Sequence, residues 1–289
     1  YHTDPILHQA ITAMVQLNSL SNLSPRPEVN SLFSQLVTLA QLNIGRTKAE
    51  TLLASLHQTG LLSRIHTLCA QGESALETHW AKHLAQTPSD LTKFPYYKNY
   101  TQQIGMETEL LNGITSPSKP RNDLKLLFVG SGPLPLSALL YAESGYHVTC
   151  MDNNPNANHL AQSWISELET KPKAGQKPLE YITQQAERFE GYDAYDIVVL
   201  GAMVGRTTHH KENLITTISR QQTALDTPRF ILARSTSSLG GTMRPLLYPE
   251  APKLTHLGYA LHSFAHPPSH SDVINSALLW QKTSNAQQR

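Results

Sequence analysis

The chain has 289 residues, and 23 Lys and Arg residues against 22 Asp and Glu residues give it a formal net charge of +1. This balance argues against electrostatic binding of nucleic acid as the main function, because such binding normally needs a clear basic excess on one face. Hydrophobic residues make up 39% of the sequence, enough for a packed core, and no apolar run approaches the roughly 18 residues that span a bilayer. With only two cysteines and no signal-peptide pattern, we expect a cytoplasmic globular protein of about two domains.

The first part of the chain has helical periodicity. Prolines near the start of segment 24–40 are typical of a helix beginning, and apolar residues follow at helical spacing. A second helix is expected over 47–60 with a capping box at its start. A longer apolar stripe covers 61–84, and another helix is expected over about 100–112. We assign residues 1–115 to an all-α N-terminal domain.

The pattern changes after a segment rich in Gly, Ser and Pro at 113–123, which is the best candidate for a domain boundary. Short apolar runs then alternate with helical stretches, which predicts right-handed βαβ units and a mostly parallel sheet over residues 116–289. The predicted strands are 124–129, 146–151, 195–200 and 229–233, the predicted helices are 136–144, 156–168 and 211–225, and the runs 259–264 and 273–281 fit an antiparallel edge.

The strongest local signal is a loop after the first predicted strand. It consists of Gly130, Ser131, Gly132, Pro133 and Leu134, and a helix is expected to follow it. Glycines let the backbone turn sharply and approach a ligand, because no Cβ stands in the way. Prolines at positions 133 and 135 remove two backbone N–H donors that a pyrophosphate would need, so the loop favours a ligand without phosphates.

Asp152 is expected at the end of the second strand, at the same edge of the sheet as this loop. An acidic side chain there can accept hydrogen bonds from both hydroxyls of a ribose. S-adenosylmethionine (SAM) matches this arrangement, since it has a ribose, an adenine and a sulfonium but no phosphate. Two alternatives stay open: an NAD site, and an ordinary turn beside a solvated Asp152, because a short glycine motif is weak by itself.

Longer motifs occur along most of the chain. They are SPRPEVNSLF at 24–33, LCAQGE at 68–73 followed by Leu76 and Glu77, FPYYKNY at 94–100, VGSGPLPL at 129–136, LGAMVG at 200–205, and Arg234-Ser235 with Leu247-Tyr248-Pro249. Together they resemble the nicotianamine synthases and the related bacterial enzymes of opine-type metallophore synthesis. The glycine–proline loop and the FPYY-x-NY segment are specific in combination.

The resemblance implies an α/β fold with a class I SAM-dependent methyltransferase-like Rossmann domain under the all-α N-terminal domain. It also implies that SAM is a co-substrate: its 3-amino-3-carboxypropyl (aminobutyryl) group moves to an amine, and methylthioadenosine is released. A sulfonium has three electrophilic carbons, and the one that reacts is the one held in line with the nucleophile at roughly 3–3.5 Å. The candidate SAM site also includes Asn153, Ala186, Leu200, Gly201 and Ala202.

Glutamates and tyrosines of the N-terminal domain are the candidate catalytic groups. Only the free base of an amine can attack, so a nearby carboxylate or phenol must hold the amine and take a proton. Glu73 and Glu77 share a helix face at i, i+4 spacing. The resemblance implies a glutamate of this helix, with Glu73 the better motif match, and either Tyr97 or Tyr100. On the residues alone, a solvated helix face and interdomain packing fit these side chains too.

Arginines are candidates for the carboxylate of the substrate, because a guanidinium can hold it with two parallel hydrogen bonds. Arg206, Arg234 and Arg244 qualify, and Arg234 lies at the end of a predicted strand. Tyr248 is a further acceptor-side candidate. The histidines lack the spacing of metal ligands, so we expect no protein-bound metal.

The leading hypothesis is a SAM-dependent aminobutyryltransferase that makes the precursor of an opine-type metallophore. Its acceptor is a small amino acid, with histidine favoured because the chain is shorter than we expect for plant members, and an opine dehydrogenase would act on the product. The sequence is compatible with a homodimer, and we expect neither nucleic acid nor a membrane as a partner. The alternatives are a nicotianamine synthase that condenses several SAM-derived units, a SAM-dependent N-methyltransferase, and a SAM-sensing module without turnover.

Overall fold

The computed structural model of the chain describes residues 5–42, 44–116, 119–169, 177–222, 228–268, 271 and 273–283. Helices come first: α1 (Pro5–Ser19), α2 (Pro27–Ala40), α3 (Arg46–Gln58), α4 (Leu61–Leu84) and α5 (Tyr97–Asn112). Strands and helices then alternate: β1 (Lys125–Val129), α6 (Leu136–Glu143), β2 (His147–Asp152), α7 (Pro155–Glu169), β3 (Glu180–Thr183), β4 (Ile197–Leu200), α8 (Thr208–Gln221), β5 (Phe230–Ser235), α9 (Pro252–His256), β6 (Tyr259–Ala265) and β7 (Ser276–Lys282). Within these ranges no helix has the length and apolar character needed to cross a membrane.

The strands form one sheet in the order β3-β2-β1-β4-β5-β7-β6. Strands β1 to β5 are parallel, and β7 runs antiparallel between β5 and β6. The predicted fold class is therefore confirmed: a methyltransferase-like Rossmann sheet follows an all-α part, and the two late runs form the antiparallel edge. From β1 the chain first adds strands on one side, β2 and β3, and then on the other side, β4 and β5. In such sheets ligands bind in the crevice between the carboxyl ends of the two strands where the order reverses, here β1 and β4.

Both faces of the central strands β1, β2, β4 and β5 are covered, which explains why these strands read as apolar runs, whereas the edge strands β3 and β6 are partly exposed. Side chains alternate along each strand, so Leu126 and Phe128 pack toward α5, α6 and α7, whereas Leu127 and Val129 pack toward α8 and α9. The register pairs Val129 with both Met151 and Leu200. The carboxyl ends of β1, β2 and β4 therefore lie side by side.

Helix α4 connects the helical part to the sheet. Its first half, with Ile65 and Leu68, packs in a cluster with α1 and α2, and its last turn, with Ala81 and Leu84, packs in the core over the sheet. The middle of α4 therefore passes over the carboxyl ends of the strands. The predicted boundary between residues 115 and 116 falls between α5 and β1 and stays a prediction about domains.

Some local predictions differ from the structure. The expected capping box at the start of α3 is wrong: Glu50 accepts a hydrogen bond from Arg46 Nε at 2.9 Å, and the helix begins at Arg46 after Gly45 without a side-chain cap. The i, i+4 ion pair takes the carboxylate that would have reached back to the first turn. Helix α1 and the short strand β3 were not predicted, and the expected end of α8 near residue 225 lies outside the described residues.

Candidate functional site

The loop after β1 turns at two glycines with left-handed backbone angles, φ 78° at Gly130 and φ 64° at Gly132. Gly130 N donates a hydrogen bond to Met151 O at 2.8 Å. The Asp152 carboxylate accepts from Gly132 N and from Asn154 N, both at 2.9 Å. Asp152 thus fixes the loop to the end of β2. Each of its oxygens has further acceptor capacity, and the residue is partly exposed.

The other predicted residues of the loop are packed in the interior of the chain. Ser131, Pro133 and Leu134 are buried, and the indole of Trp164 donates to Pro133 O at 3.0 Å. Of the remaining predicted contacts on this side of the sheet, Asn153 is exposed and Ala186 is partly buried at the start of a 3₁₀ turn.

A buried lysine ties together the ends of β4 and β5. Lys211 Nζ donates to the carbonyl oxygens of Gly201, Ala202 and Arg234 at 3.3, 3.1 and 2.9 Å. Burial, followed by the charges of Arg244 and Arg234, lowers the pKa of Lys211 to about 7. Two predicted SAM contacts, Gly201 and Ala202, are therefore held by a group that the sequence did not indicate. Leu200, the third, is fully buried at the end of β4.

Glu77 faces the glycine loop from the middle of α4. A Cβ added to Gly132 would lie 2.5 Å from Glu77 Oε2, so the carboxylate fills the space directly beside the loop. The Tyr100 hydroxyl, on the first turn of α5, donates to Glu77 Oε1 at 3.0 Å. The carboxyl group of Glu77 on α4, the hydroxyl of Tyr100 on α5 and the glycine loop after β1 therefore lie next to one another.

The surroundings of this pair change its acid–base behaviour. Burial raises the pKa of Glu77 well above its ordinary value, and the charges of Glu73 and Asp152 raise it further, against the opposing effects of Tyr100 and Arg244. Burial, followed by the charges of Glu77 and Glu73, raises the pKa of Tyr100. Tyr100 is thus a neutral hydrogen-bond donor, and Glu77 takes a proton more readily than an ordinary glutamate does.

Glu73 lies one helical turn before Glu77 and has a different partner. Arg244 Nη1 donates to Glu73 Oε2 at 2.8 Å, and Nη2 lies 3.5 Å from Oε1. The side chains are 14% and 31% exposed for Arg244 and Glu73, so the pair is partly open to solvent. Arg244 Nε is buried and has no hydrogen-bond partner within the described part of the chain.

Three predicted site residues have other contacts. Tyr97 packs against the core over the sheet. Tyr248 OH lies 3.4 Å from Glu50 Oε1, and the Arg46 guanidinium lies 5.0 Å from the Tyr248 ring. Arg234 is buried, and its guanidinium is held by a glutamate of α5 at 2.7 Å. The expected roles of these three in catalysis or substrate binding stay predictions. Within the described residues, no hydrogen bond joins Tyr97 or Tyr248 to Glu77.

The glutamate that holds Arg234 is Glu107, which the sequence analysis missed along with Lys211. Glu107 follows Tyr100 by seven residues, a spacing that places both on one face of α5 and that would have drawn attention to it. Lys211 gives no such signal, because a single lysine in an amphipathic helix is usually exposed. Over the described ranges, no three His, Cys, Asp or Glu side chains are grouped so that they could hold a metal ion.

Known proteins are similar to this chain along most of its length. The family model described as nicotianamine synthase protein matches residues 2–287. Nicotianamine synthase 1 of Arabidopsis thaliana is 28% identical over 286 residues, covering 96% of this chain and 84% of that protein. Nicotianamine synthase 1 of Hordeum vulgare is 30% identical over 274 residues, covering 93% and 79%.

Two solved structures of MtNAS share the fold. MtNAS in complex with MTA and tNA superposes with a TM-score of 0.74 at 19% identity, covering 96% of each chain. A glutamate-to-glutamine mutant of MtNAS in complex with S-adenosylmethionine gives a TM-score of 0.75 at 18% identity, covering 97% of this chain and 99% of that chain. At these identities the comparison shows the fold alone.

Proposed function

The chain belongs to the nicotianamine synthase family, and from this premise we propose that it transfers the 3-amino-3-carboxypropyl group of SAM to the amine of an amino acid, releasing methylthioadenosine. The observation that carries the proposal is the Glu77–Tyr100 hydrogen bond beside the glycine loop. It provides a proton acceptor directly beside the glycine loop, to which we assign binding of the adenosyl ligand.

The residues around the loop fit SAM. Gly130 and Gly132 have backbone angles that other residues rarely adopt, and Asp152 keeps acceptor capacity for the ribose hydroxyls. Three carboxyl groups, those of Glu73, Glu77 and Asp152, lie around this place, and Arg244 is the cation that acts on Glu77. The sulfonium and the ammonium groups of the substrates would supply the positive charge that these acids favour.

In the proposed step the acceptor nitrogen attacks the γ-carbon of the aminocarboxypropyl group. A nitrogen–carbon bond forms while the carbon–sulfur bond breaks, and its electron pair stays on sulfur, so the leaving group is a neutral thioether. The ammonium proton of the acceptor passes to the Glu77 carboxylate, which the Tyr100 hydroxyl holds in place. We assign this role to Glu77 and not to the motif-favoured Glu73, since Arg244 already engages Glu73.

The open Arg244–Glu73 pair suits an α-amino acid. The guanidinium can donate two parallel hydrogen bonds to the α-carboxylate, and its Nε has no other partner within the described residues. The ammonium group of the same amino acid would then lie near the glutamates. We propose histidine as the acceptor and a single transfer, with an opine dehydrogenase acting on the product. Nicotianamine synthesis by repeated transfer is the alternative, and the names of the relatives favour it.

The test is to incubate the protein with SAM and a panel of amino acids and to identify the products by mass. One aminobutyryl unit on histidine supports the finer proposal, and several joined units support nicotianamine synthesis. A methylated acceptor with S-adenosylhomocysteine would instead identify a methyltransferase, and SAM binding without any turnover would identify a sensing module.

Substitution of the two glutamates tests the assigned roles. We expect Glu77→Gln to lower the rate of product formation by about 10²–10⁴-fold, because the base is lost, while SAM still binds. Glu73→Gln should retain turnover. Glu109→Gln, on the exposed face of α5, is the control and should be unchanged. Near-normal turnover in Glu77→Gln together with its loss in Glu73→Gln would transfer the role to Glu73.

A further inference from the structure

A fully buried ion pair joins the end of β5 to α5. Arg234 Nε donates to Glu107 Oε1 at 2.7 Å, and Arg234 Nη2 donates to Glu107 Oε2 at 2.9 Å. The side chains are 8% and 0% exposed. Arg234 Nη2 also lies 3.0 Å from Ser137 Oγ at the start of α6, and the guanidinium lies over the Phe128 ring of β1.

The Glu107 carboxylate receives two further hydrogen bonds. The Tyr141 hydroxyl of α6 donates to Oε2 at 2.5 Å, and Gln103 Nε2, one turn earlier on α5, donates to Oε1 at 2.7 Å. With four donors on its two oxygens, this carboxylate is fixed in position. A carboxylate so completely hydrogen-bonded holds α5 at one rotation about its axis relative to β5 and α6.

Tyr100 depends on that rotation. Tyr100, Gln103 and Glu107 lie at i, i+3 and i+7 on one face of α5, so a turn of the helix at Glu107 moves the Tyr100 hydroxyl with it. The hydroxyl has to stay within hydrogen-bond reach of Glu77, on a different helix. A displacement of about 1 Å at a reacting group is enough to cost roughly 10²-fold in rate.

We propose that Arg234 and Glu107 form a positioning pair that sets the rotation of α5 and so brings the Tyr100 hydroxyl to Glu77. Neither residue touches substrate in this role, and each acts through Tyr100. The catalytic part of the inference rests on the proposed function. It gives Arg234 a role different from the carboxylate clamp expected from its place at a strand end.

A second ion pair of the same sheet, with a buried aspartate, provides a matched control. Arg229 Nη1 lies 2.9 Å from Asp196 Oδ1, and Asp196 is 4% exposed. This pair lies at the amino end of β5, opposite the edge that carries the glycine loop. Arg229→Met therefore removes a half-buried cation from the same sheet while Lys119 stays paired with Asp196, and we expect the rotation of α5 to be unchanged.

The test is a double-mutant cycle on turnover. We expect Arg234→Lys and Glu107→Gln each to lower kcat by about 10²-fold while the Kd for SAM changes by less than about threefold. In a Tyr100→Phe background the same changes should lower kcat by no more than about twofold, because the group through which they act is gone. Equal losses in both backgrounds, or an equal loss of kcat in Arg229→Met, would overturn the proposal.

Amide hydrogen exchange provides a readout that does not need activity. Glu107→Gln should speed exchange across residues 97–112, whereas Arg229→Met should leave that helix unchanged. If wild-type protein turned over no acceptor, the proposed function would fail, and the exchange comparison would still decide whether the pair holds α5. Unchanged exchange in Glu107→Gln would refute the positioning pair by itself.

Discussion

Arg234 and Arg244, ten residues apart around the end of β5, each meet a glutamate of the helical part, yet the two ion pairs differ in solvent access. The Arg234–Glu107 side chains are 8% and 0% exposed, against 14% and 31% for Arg244–Glu73. The closed pair is saturated with hydrogen bonds, whereas Arg244 keeps an unpartnered Nε within the described residues. The same two side-chain types can therefore join parts of a chain or stay ready for a ligand, and hydrogen-bond completeness separates the two uses.

The largest expected effect is on stability. Arg234→Met leaves the Glu107 carboxylate buried without its cation, which should lower the free energy of unfolding by about 3–5 kcal/mol. Arg244→Met should lower it by about 1 kcal/mol or less, because water can reach Glu73. Urea unfolding measures both values. The exposed Arg46, paired with Glu50, is the control, and Arg46→Met should have little effect. Equal losses for Arg234→Met and Arg244→Met would remove the distinction between the pairs.

Lys211, which donates to the Arg234 carbonyl oxygen and is affected by the charges of both arginines, makes stability depend on pH. Its pKa is lowered to about 7 in the folded chain from an ordinary 10.5, so between those values the unfolded chain holds a proton that the folded chain has lost. The free energy of unfolding should therefore rise with pH in that window, by up to about 1.4 kcal/mol per pH unit. Urea unfolding between pH 7 and 10 should show this slope reduced in Lys211→Met. It should persist in Lys82→Met, which alters an exposed lysine.

The Arg244–Glu73 pair should affect how tightly the acceptor amino acid binds. If Arg244 binds the carboxylate of the amino acid, Arg244→Met should raise the KM for that amino acid by about 10–100-fold, the value of a hydrogen bond to a charged group. Steady-state kinetics at saturating SAM measures it. Arg244→Lys keeps the charge and loses the bidentate geometry, so it should lie between wild type and Arg244→Met. An unchanged KM in both variants would show that the carboxylate binds elsewhere.

These contacts also show where sequence reasoning stops. The glycine loop, Asp152 and the shared face of Glu73 and Glu77 follow from short-range patterns, because a turn, a strand end and a helix spacing are each set within a few residues. The choice of Tyr100 over Tyr97 as the partner of Glu77 depends on how α4 and α5 pack, which no local pattern fixes.

The two arginine–glutamate pairs could not be predicted from the sequence. Arg244 meets Glu73 across 171 residues of sequence and Arg234 meets Glu107 across 127, so each partner is decided by the docking of the helical part on the sheet. The position of Arg234 at a strand end suggested that it binds substrate, but its guanidinium is already hydrogen-bonded to Glu107. A buried position for Lys211 likewise follows only from the three carbonyl groups that converge on it.

The smallest predicted effect distinguishes the two glutamates of α4. The charge of Glu73 raises the pKa of Glu77, and that of Arg244 lowers it. Glu73→Gln removes the first effect and frees Arg244 to exert the second more strongly, so both changes lower the pKa of Glu77. A base acts in its deprotonated form, and the acid limb of kcat/KM against pH should therefore move to lower pH. The same profile measured in Glu109→Gln should coincide with wild type. A limb that stayed in place in Glu73→Gln would mean that Glu77 is not the group whose proton limits the rate.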